Sequence, residues 1–189
     1  MATMIIPAGS AQISLEPQPQ LLPWFALKVR ANGEPKVKQA LELKGFEVFL
    51  PTQFECRRYS DRIKKVEAAL FAGYLFCRFD PNHRLPVVIT PGVEYVVSDS
   101  GALRPVEEDE INAVRCAVQS GAGIEQWPYL RTGDEVRVKF GAMAGLTGLL
   151  VRARGTDRLV ISVHMLQRSI SVEIDRTWVT PVRLPEVRQ

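Results

Sequence analysis

The chain has few cysteines, almost no histidine and no long apolar run, and each shortage removes a class of function. Cys56, Cys77 and Cys116 are odd in number, widely spaced and outside any CxxC pattern. They therefore suit reduced thiols in the cytoplasm rather than a disulfide framework or a zinc site. His83 and His164 are the only histidines, and neither stands in a metal-ligand or triad-like spacing. Ser162, two residues before His164, is explained by strand alternation. No phosphate-binding P-loop, GxGxxG or HExxH motif occurs, so no catalytic residue, cofactor or metal is assigned and the chain is read as a non-enzyme. No apolar run approaches the roughly 18–20 residues that span a bilayer. Residues 1–22 hold one acid, Glu16, and no base, and they end in a Gln- and Pro-rich stretch, Glu16–Gln20. Lacking the basic start and apolar centre of a signal peptide, they are expected to be a disordered tail.

What is present is ordinary globular composition, 46% hydrophobic and 24% charged over 189 residues. The net charge of +3 is small but unevenly shared. Residues 1–130 carry 14 Lys plus Arg against 15 Asp plus Glu, a net of −1, and residues 131–189 carry 10 against 6, a net of +4. Ser120-Gly121-Ala122-Gly123 opens a short stretch of linker composition between the two. The expected organisation is a tail (1–22), an N-terminal domain (23–119), a flexible linker (120–131) and a C-terminal domain (132–189).

In the N-terminal domain, residues 24–30 (WFALKVR) read as a strand closing on the turn Ala31-Asn32-Gly33. Pro35 suits a first helical turn, Val37, Ala40, Leu41 and Lys44 share a face, and Gly45 stands where a C-terminal cap belongs. Strands are expected at 46–50, stopped by Pro51, at 53–59, and at 71–79, where the aromatic content predicts a long central strand. A short helix or turn follows, then a strand at 92–97. A helix is expected from about Pro105 to Gln119, its acids Glu107–Glu110 favouring the helix dipole. The order predicts an α+β fold with an antiparallel sheet and flanking helices. In the C-terminal domain a period of two recurs four times, at Val136–Phe140, Leu149–Ala153, Leu159–Val163 and Ile170–Ile174. Some 58 residues of short strands are too few for a sandwich, so a small β-barrel is expected.

Gly133-Asp134-Glu135-Val136-Arg137-Val138, followed by Gly141 to Gly148, resembles the KOW motif that begins small SH3-like barrels of transcription and translation proteins. It joins Trp24-Phe25-Ala26-Leu27, Leu50-Pro51, Phe71-Ala72-Gly73-Tyr74-Leu75-Phe76 and Thr90-Pro91-Gly92-Val93 in an order similar to the N-terminal (NGN) domain of the NusG family of transcription elongation factors. The resemblance covers about residues 23–183. Arg158–Val163 and Leu166–Ile170, with the short spacing from Asp80-Pro81 to Gly92-Val93, look like the specialised UpxY and RfaH paralogues. Phe71-Ala72 stands where the family often has Phe-Pro, and RfaH's His-Thr-Thr element is missing. RfaH's polymerase-gate contact and DNA reading therefore do not carry over. The β pattern at 170–174 opposes a helical C-terminal state.

The resemblance implies a cytoplasmic factor that binds the clamp helices of RNA polymerase's largest subunit, suppresses pausing and modulates termination or antitermination. Phe71, Tyr74 and Phe76 are the implied docking rings, and ordinary core membership is the other reading of each. Arg57, Arg58, Arg62, Lys64 and Lys65, around an expected hairpin, with Trp24 and Arg30, are candidate nucleic-acid contacts, the nontemplate DNA strand being the implied ligand. A solvated loop and a core tryptophan are the alternatives. In the barrel, Phe140, Met143, Leu166 and Ile170 are the candidate surface for Rho or a small-subunit ribosomal protein, although core membership explains Phe140 and Ile170 equally well. A ribosome-associated or RNA-binding KOW protein that does not act on polymerase is the alternative function.

Overall fold

The computed structural model describes residues 22–58, 63–129 and 134–182. The expected tail, apart from Leu22, lies outside them. In chain order the elements are β1 (Trp24–Val29), α1 (Glu34–Leu43), β2 (Glu47–Phe49), β3 (Thr52–Arg58), β4 (Ile63–Ala69), β5 (Tyr74–Arg78), α2 (Leu85–Val88), β6 (Val93–Val96), β7 (Ser98–Asp99), β8 (Ala102–Leu103) and α3 (Glu108–Gln119). β9 (Ile124–Trp127), β10 (Asp134–Val138), β11 (Thr147–Ala153), β12 (Thr156–Val163), β13 (Arg168–Glu173) and β14 (Val179–Pro181) complete the chain.

The N-terminal domain is built on a four-stranded antiparallel sheet in the order β2-β5-β1-β6. Alternation sends successive side chains to opposite faces, and both faces are covered. Phe25, Leu27, Val29, Leu75 and Cys77 bury with Val37 and Leu41 of α1 and Val87 of α2. Trp24, Ala26 and Phe76 bury with Ile111, Val114 and Ala117 of α3. Strands β3 and β4 form a separate two-stranded arm, running from Thr52 opposite Ala69 to Arg58 opposite Ile63.

The C-terminal domain is the expected KOW-like β-barrel, a six-stranded sheet in the order β14-β10-β11-β12-β13-β9. Gly148 permits close packing here, because a Cβ would stand 2.7 Å from the Val160 carbonyl oxygen. Residues opposed across an antiparallel pair share a face. Leu159, Val172 and Ile124 therefore line one face with Ile161, Ile170 and Gln126, and Arg168 lies on it opposite Val163.

Two local expectations, the length of the central strand and the linker, are corrected, and the hairpin expected near 57–65 gains a second strand of defined length. The central strand is five residues long rather than nine, because Gly73 turns the chain with φ +79° and the Tyr74 N–H donates to the Phe71 carbonyl. The polar segment Ile63–Ala69 is a strand, β4, held by its register on β3 rather than by an apolar pattern of its own. One third of the expected flexible linker is ordered sheet, since Ile124–Trp127 pairs with Val172–Ser169 of β13.

Candidate docking site and nucleic-acid interface

Tyr74 opens β5 directly after the Gly73 turn. Glu34 at the start of α1, almost wholly buried, accepts the Gly73 N–H at 2.7 Å, and the Val29 N–H donates to the Gly73 carbonyl at 2.9 Å. The backbone is thus fixed from two sides. The Lys28 ammonium lies 4.5 Å from the centroid of the Tyr74 ring and the Arg168 guanidinium 5.1 Å from it. Arg168 belongs to the barrel, so one of these cations comes from the second domain.

The barrel holds the N-terminal domain at further points. Gln126 Nε2 donates to the Leu70 carbonyl at 3.2 Å, the Cys116 thiol to the Ala142 carbonyl at 3.2 Å, and the His164 imidazole pairs with Glu110. The apolar cluster of Phe71, Phe76 and α3 is continuous with Leu159, Ile161, Ile170 and Val172 of the barrel.

This arrangement separates the three implied docking rings. Phe76, 0% exposed, stacks on Phe49 with centroids 6.0 Å apart and meets Phe71 edge-on at 6.2 Å. Phe71 is 1% exposed at the turn that β9 touches through Gln126. Phe76 is therefore corrected to core, Phe71 presents no ring in this domain arrangement, and half-buried Tyr74 alone has an accessible edge. Trp24 is likewise corrected. It is 1% exposed beneath Arg78, whose guanidinium lies 4.7 Å from its ring and binds both Glu108 carboxylate oxygens at 2.6–2.7 Å. A nucleobase has no access to it.

Arg30 is exposed at the end of β1. On the arm, Arg57 stands opposite Lys64 and Cys56 opposite Lys65, while Arg62 lies outside the described residues. Lys65 is exposed, its ammonium 4.5 Å from the Phe54 ring. In the barrel, Ile170 is wholly buried and is corrected to core, and Met143 and Leu166 are buried as well. Phe140 is 58% exposed. Trp178, 43% exposed, joins it without any signal in the sequence pattern; the Lys139 N–H donates to its carbonyl, and a Cβ on Gly141 would stand 2.9 Å from its ring. Only the return of β14 onto β10 brings it there.

Burial pushes the Cys77 thiol up to about 12, with the Glu47 carboxylate adding to the shift. Thiol reagents at pH 8 are expected to modify half-buried Cys116 in the folded protein and to reach Cys77 only after unfolding. Peptide mass mapping checks this, and equal labelling of the two would contradict it. The unfolded chain loses the Cys77 proton near the ordinary value of 9.0 while the folded chain retains it to about 12, so this group lowers stability as pH rises between them. Hydrogen bonds from His83 and Asn82 hold Asp80 below the usual carboxylate range, and the Thr177 N–H and hydroxyl do the same for Asp175. Among the described residues no cluster of three metal-ligating side chains occurs, and no helix is long and apolar enough to cross a membrane.

A covered four-stranded sheet with a projecting arm, followed by a KOW-like barrel, defines the class of NGN–KOW proteins. The family model described as "Transcription termination factor nusG" matches residues 22–115, from the start of the first strand into α3. The transcription termination/antitermination protein NusG of Campylobacter jejuni is 28% identical over 169 residues, covering 80% of this chain and 92% of that protein. A solved structure concerned with domain interaction in Thermotoga maritima NusG covers 85% of this chain and 97% of that one at 19% identity and a TM-score of 0.49. Residues 22–115 of this chain are a NusG-family domain.

Proposed function

We propose that this chain is a transcription termination/antitermination factor that binds RNA polymerase through the Tyr74 turn, suppresses pausing and uses its barrel to recruit a second partner. The observation that carries the reading is Tyr74 itself, an aromatic ring with an accessible edge on a backbone turn fixed by Glu34 and Val29. Such an anchor is pre-organised, so little ordering cost attends binding. Its partner is the clamp-helix region of the largest polymerase subunit, and binding there stabilises the pause-resistant conformation. Because Arg168 lies over the same ring, the barrel gates the site and swings away when polymerase binds. The freed barrel offers Phe140, joined by Trp178, to Rho or a small-subunit ribosomal protein. The barrel sequence at 158–170 supports a specialised paralogue of the UpxY and RfaH kind.

The test is binding to purified bacterial RNA polymerase and transcription across a pause site. Tyr74→Ala is expected to weaken binding on the order of tenfold or more and to abolish pause suppression while melting close to the wild-type temperature. Phe140→Ala is expected to keep both activities. Full activity of Tyr74→Ala would refute the docking site.

A further inference from the structure

Tyr74 is shared by two cations of different origin. The Lys28 ammonium comes from the neighbouring strand, directly opposite Tyr74 in the β1–β5 register, and packs so closely on the turn that a Cβ on Gly73 would stand 2.5 Å from its Nζ. It stays with the N-terminal domain. The Arg168 guanidinium, 5.1 Å from the ring centroid, arrives on β13 and leaves with the barrel. Arg168 also differs from the buried arginines of the chain. Arg78 binds the carboxylates of Glu108 and Glu47, and Arg158 that of Glu125, whereas among the described residues no carboxylate pairs with Arg168. Its partner is the Tyr74 ring, whose quadrupole attracts a cation to its face. A guanidinium suits that seat better than an ammonium does, because it is planar, stacks on the ring and is weakly hydrated. The surface beside the turn has the matching sign. A cleft of about 620 Å³ runs between α1 and the root of the β3–β4 arm up to Ala72, and its charged lining is Glu34, Glu42, Glu55 and Glu67 against Lys38, a formal net of −3. Such a lining draws a basic partner.

We propose that Arg168 holds the place of an arginine of the polymerase: when the barrel leaves, a guanidinium presented by the docking helix seats on the Tyr74 ring, with further basic side chains of that helix along the acidic cleft. The barrel then inhibits by supplying the same chemical group as the partner, and the two compete for one ring. The inference rests on the proposed function for the identity of the partner and adds the chemistry that the partner must present. A helix with apolar side chains alone would leave the ring face and the cleft carboxylates unmatched, so charge selects the partner as well as shape. The competition is reciprocal, since a chain held closed by Arg168 is withdrawn from polymerase in proportion to its closed fraction.

The experiment is binding of the full chain to purified bacterial RNA polymerase in an Arg168→Ala background, which removes the competing guanidinium and is itself expected to raise affinity. Tyr74→Phe keeps the aromatic face and is expected to bind within about twofold of that background. Tyr74→Leu keeps an apolar side chain without a π face and is expected to bind roughly five- to thirtyfold more weakly. Phenylalanines of increasing ring fluorination at position 74 keep the shape while withdrawing charge from the ring face, so affinity should fall stepwise with each fluorine. Thermal melting shows that each variant is folded. Equal affinity of the fluorinated and plain phenylalanine proteins would overturn the inference and leave the ring as an apolar anchor, so the proposed function would stand. An Arg168→Ala affinity no higher than that of the wild type would also overturn it, because the two guanidinium groups would then not compete. Wild-type polymerase binding by Tyr74→Ala would remove both readings.

Discussion

Oxidising an Ala142→Cys variant is expected to lower RNA polymerase affinity about thirtyfold or more, and reduction is expected to restore it. The Cys116 thiol on α3 donates to the Ala142 carbonyl at 3.2 Å across the domain boundary, which makes residue 142 the barrel position at which to engineer a bridge to α3. Cys77 is buried and does not compete, and Cys56→Ser removes the remaining thiol. The bridge would tie the barrel to α3, keeping Arg168 and Gln126 over the Tyr74 turn. A ligand that requires the open arrangement binds in proportion to the open fraction. Disulfides typically favour the linked state by ~2–4 kcal/mol, so polymerase affinity should fall about thirtyfold or more. Arg168→Ala with Gln126→Ala acts in the opposite direction and should raise affinity. Equal polymerase binding by the oxidised and reduced variant would show that docking does not require the barrel to move.

Phe76→Ala is expected to cost about 3–5 kcal/mol of stability, read by denaturant unfolding with little change in the m-value. The ring is fully buried on the face beneath α3, stacked on Phe49 and met edge-on by Phe71, and its removal leaves a cavity that rigid sheet neighbours cannot close. Against a total of ~5–15 kcal/mol for a small domain, this is a large share of the stability. Tyr74→Ala, at a half-buried position, should cost about 1 kcal/mol. Polymerase binding lost by Phe76→Ala therefore reports on folding, and loss by Tyr74→Ala reports on the interface. Near wild-type stability of Phe76→Ala would return that ring to the docking surface.

The barrel was legible because its period of two is written into Val136–Phe140, Leu149–Ala153, Leu159–Val163 and Ile170–Ile174, and each run became a strand or the greater part of one. The first helix was legible from Pro35, the Val37 and Leu41 face and Gly45. Strand β4 was not, because Ile63–Ala69 has little alternation of its own and is a strand by virtue of its partner. The nine-residue central strand was overestimated because aromatic content outweighed the turn at Gly73, whose φ of +79° depends on the Glu34 carboxylate waiting for its N–H.

The amino-acid order by itself determined the first helix, the barrel strands from β10 to β13 and the resemblance to the NusG family, since periodicity, turn residues and motif order are local or linear properties. Only the tertiary structure decided which aromatic rings remain accessible. Strand alternation assigns a side chain to a face but does not say what covers that face, and here α3 closed over Trp24 and Phe76 while the barrel reached Tyr74 through Arg168. Burial is set by packing between segments distant in sequence, so Phe54 and Trp178 stayed outside while more conspicuous aromatics went in.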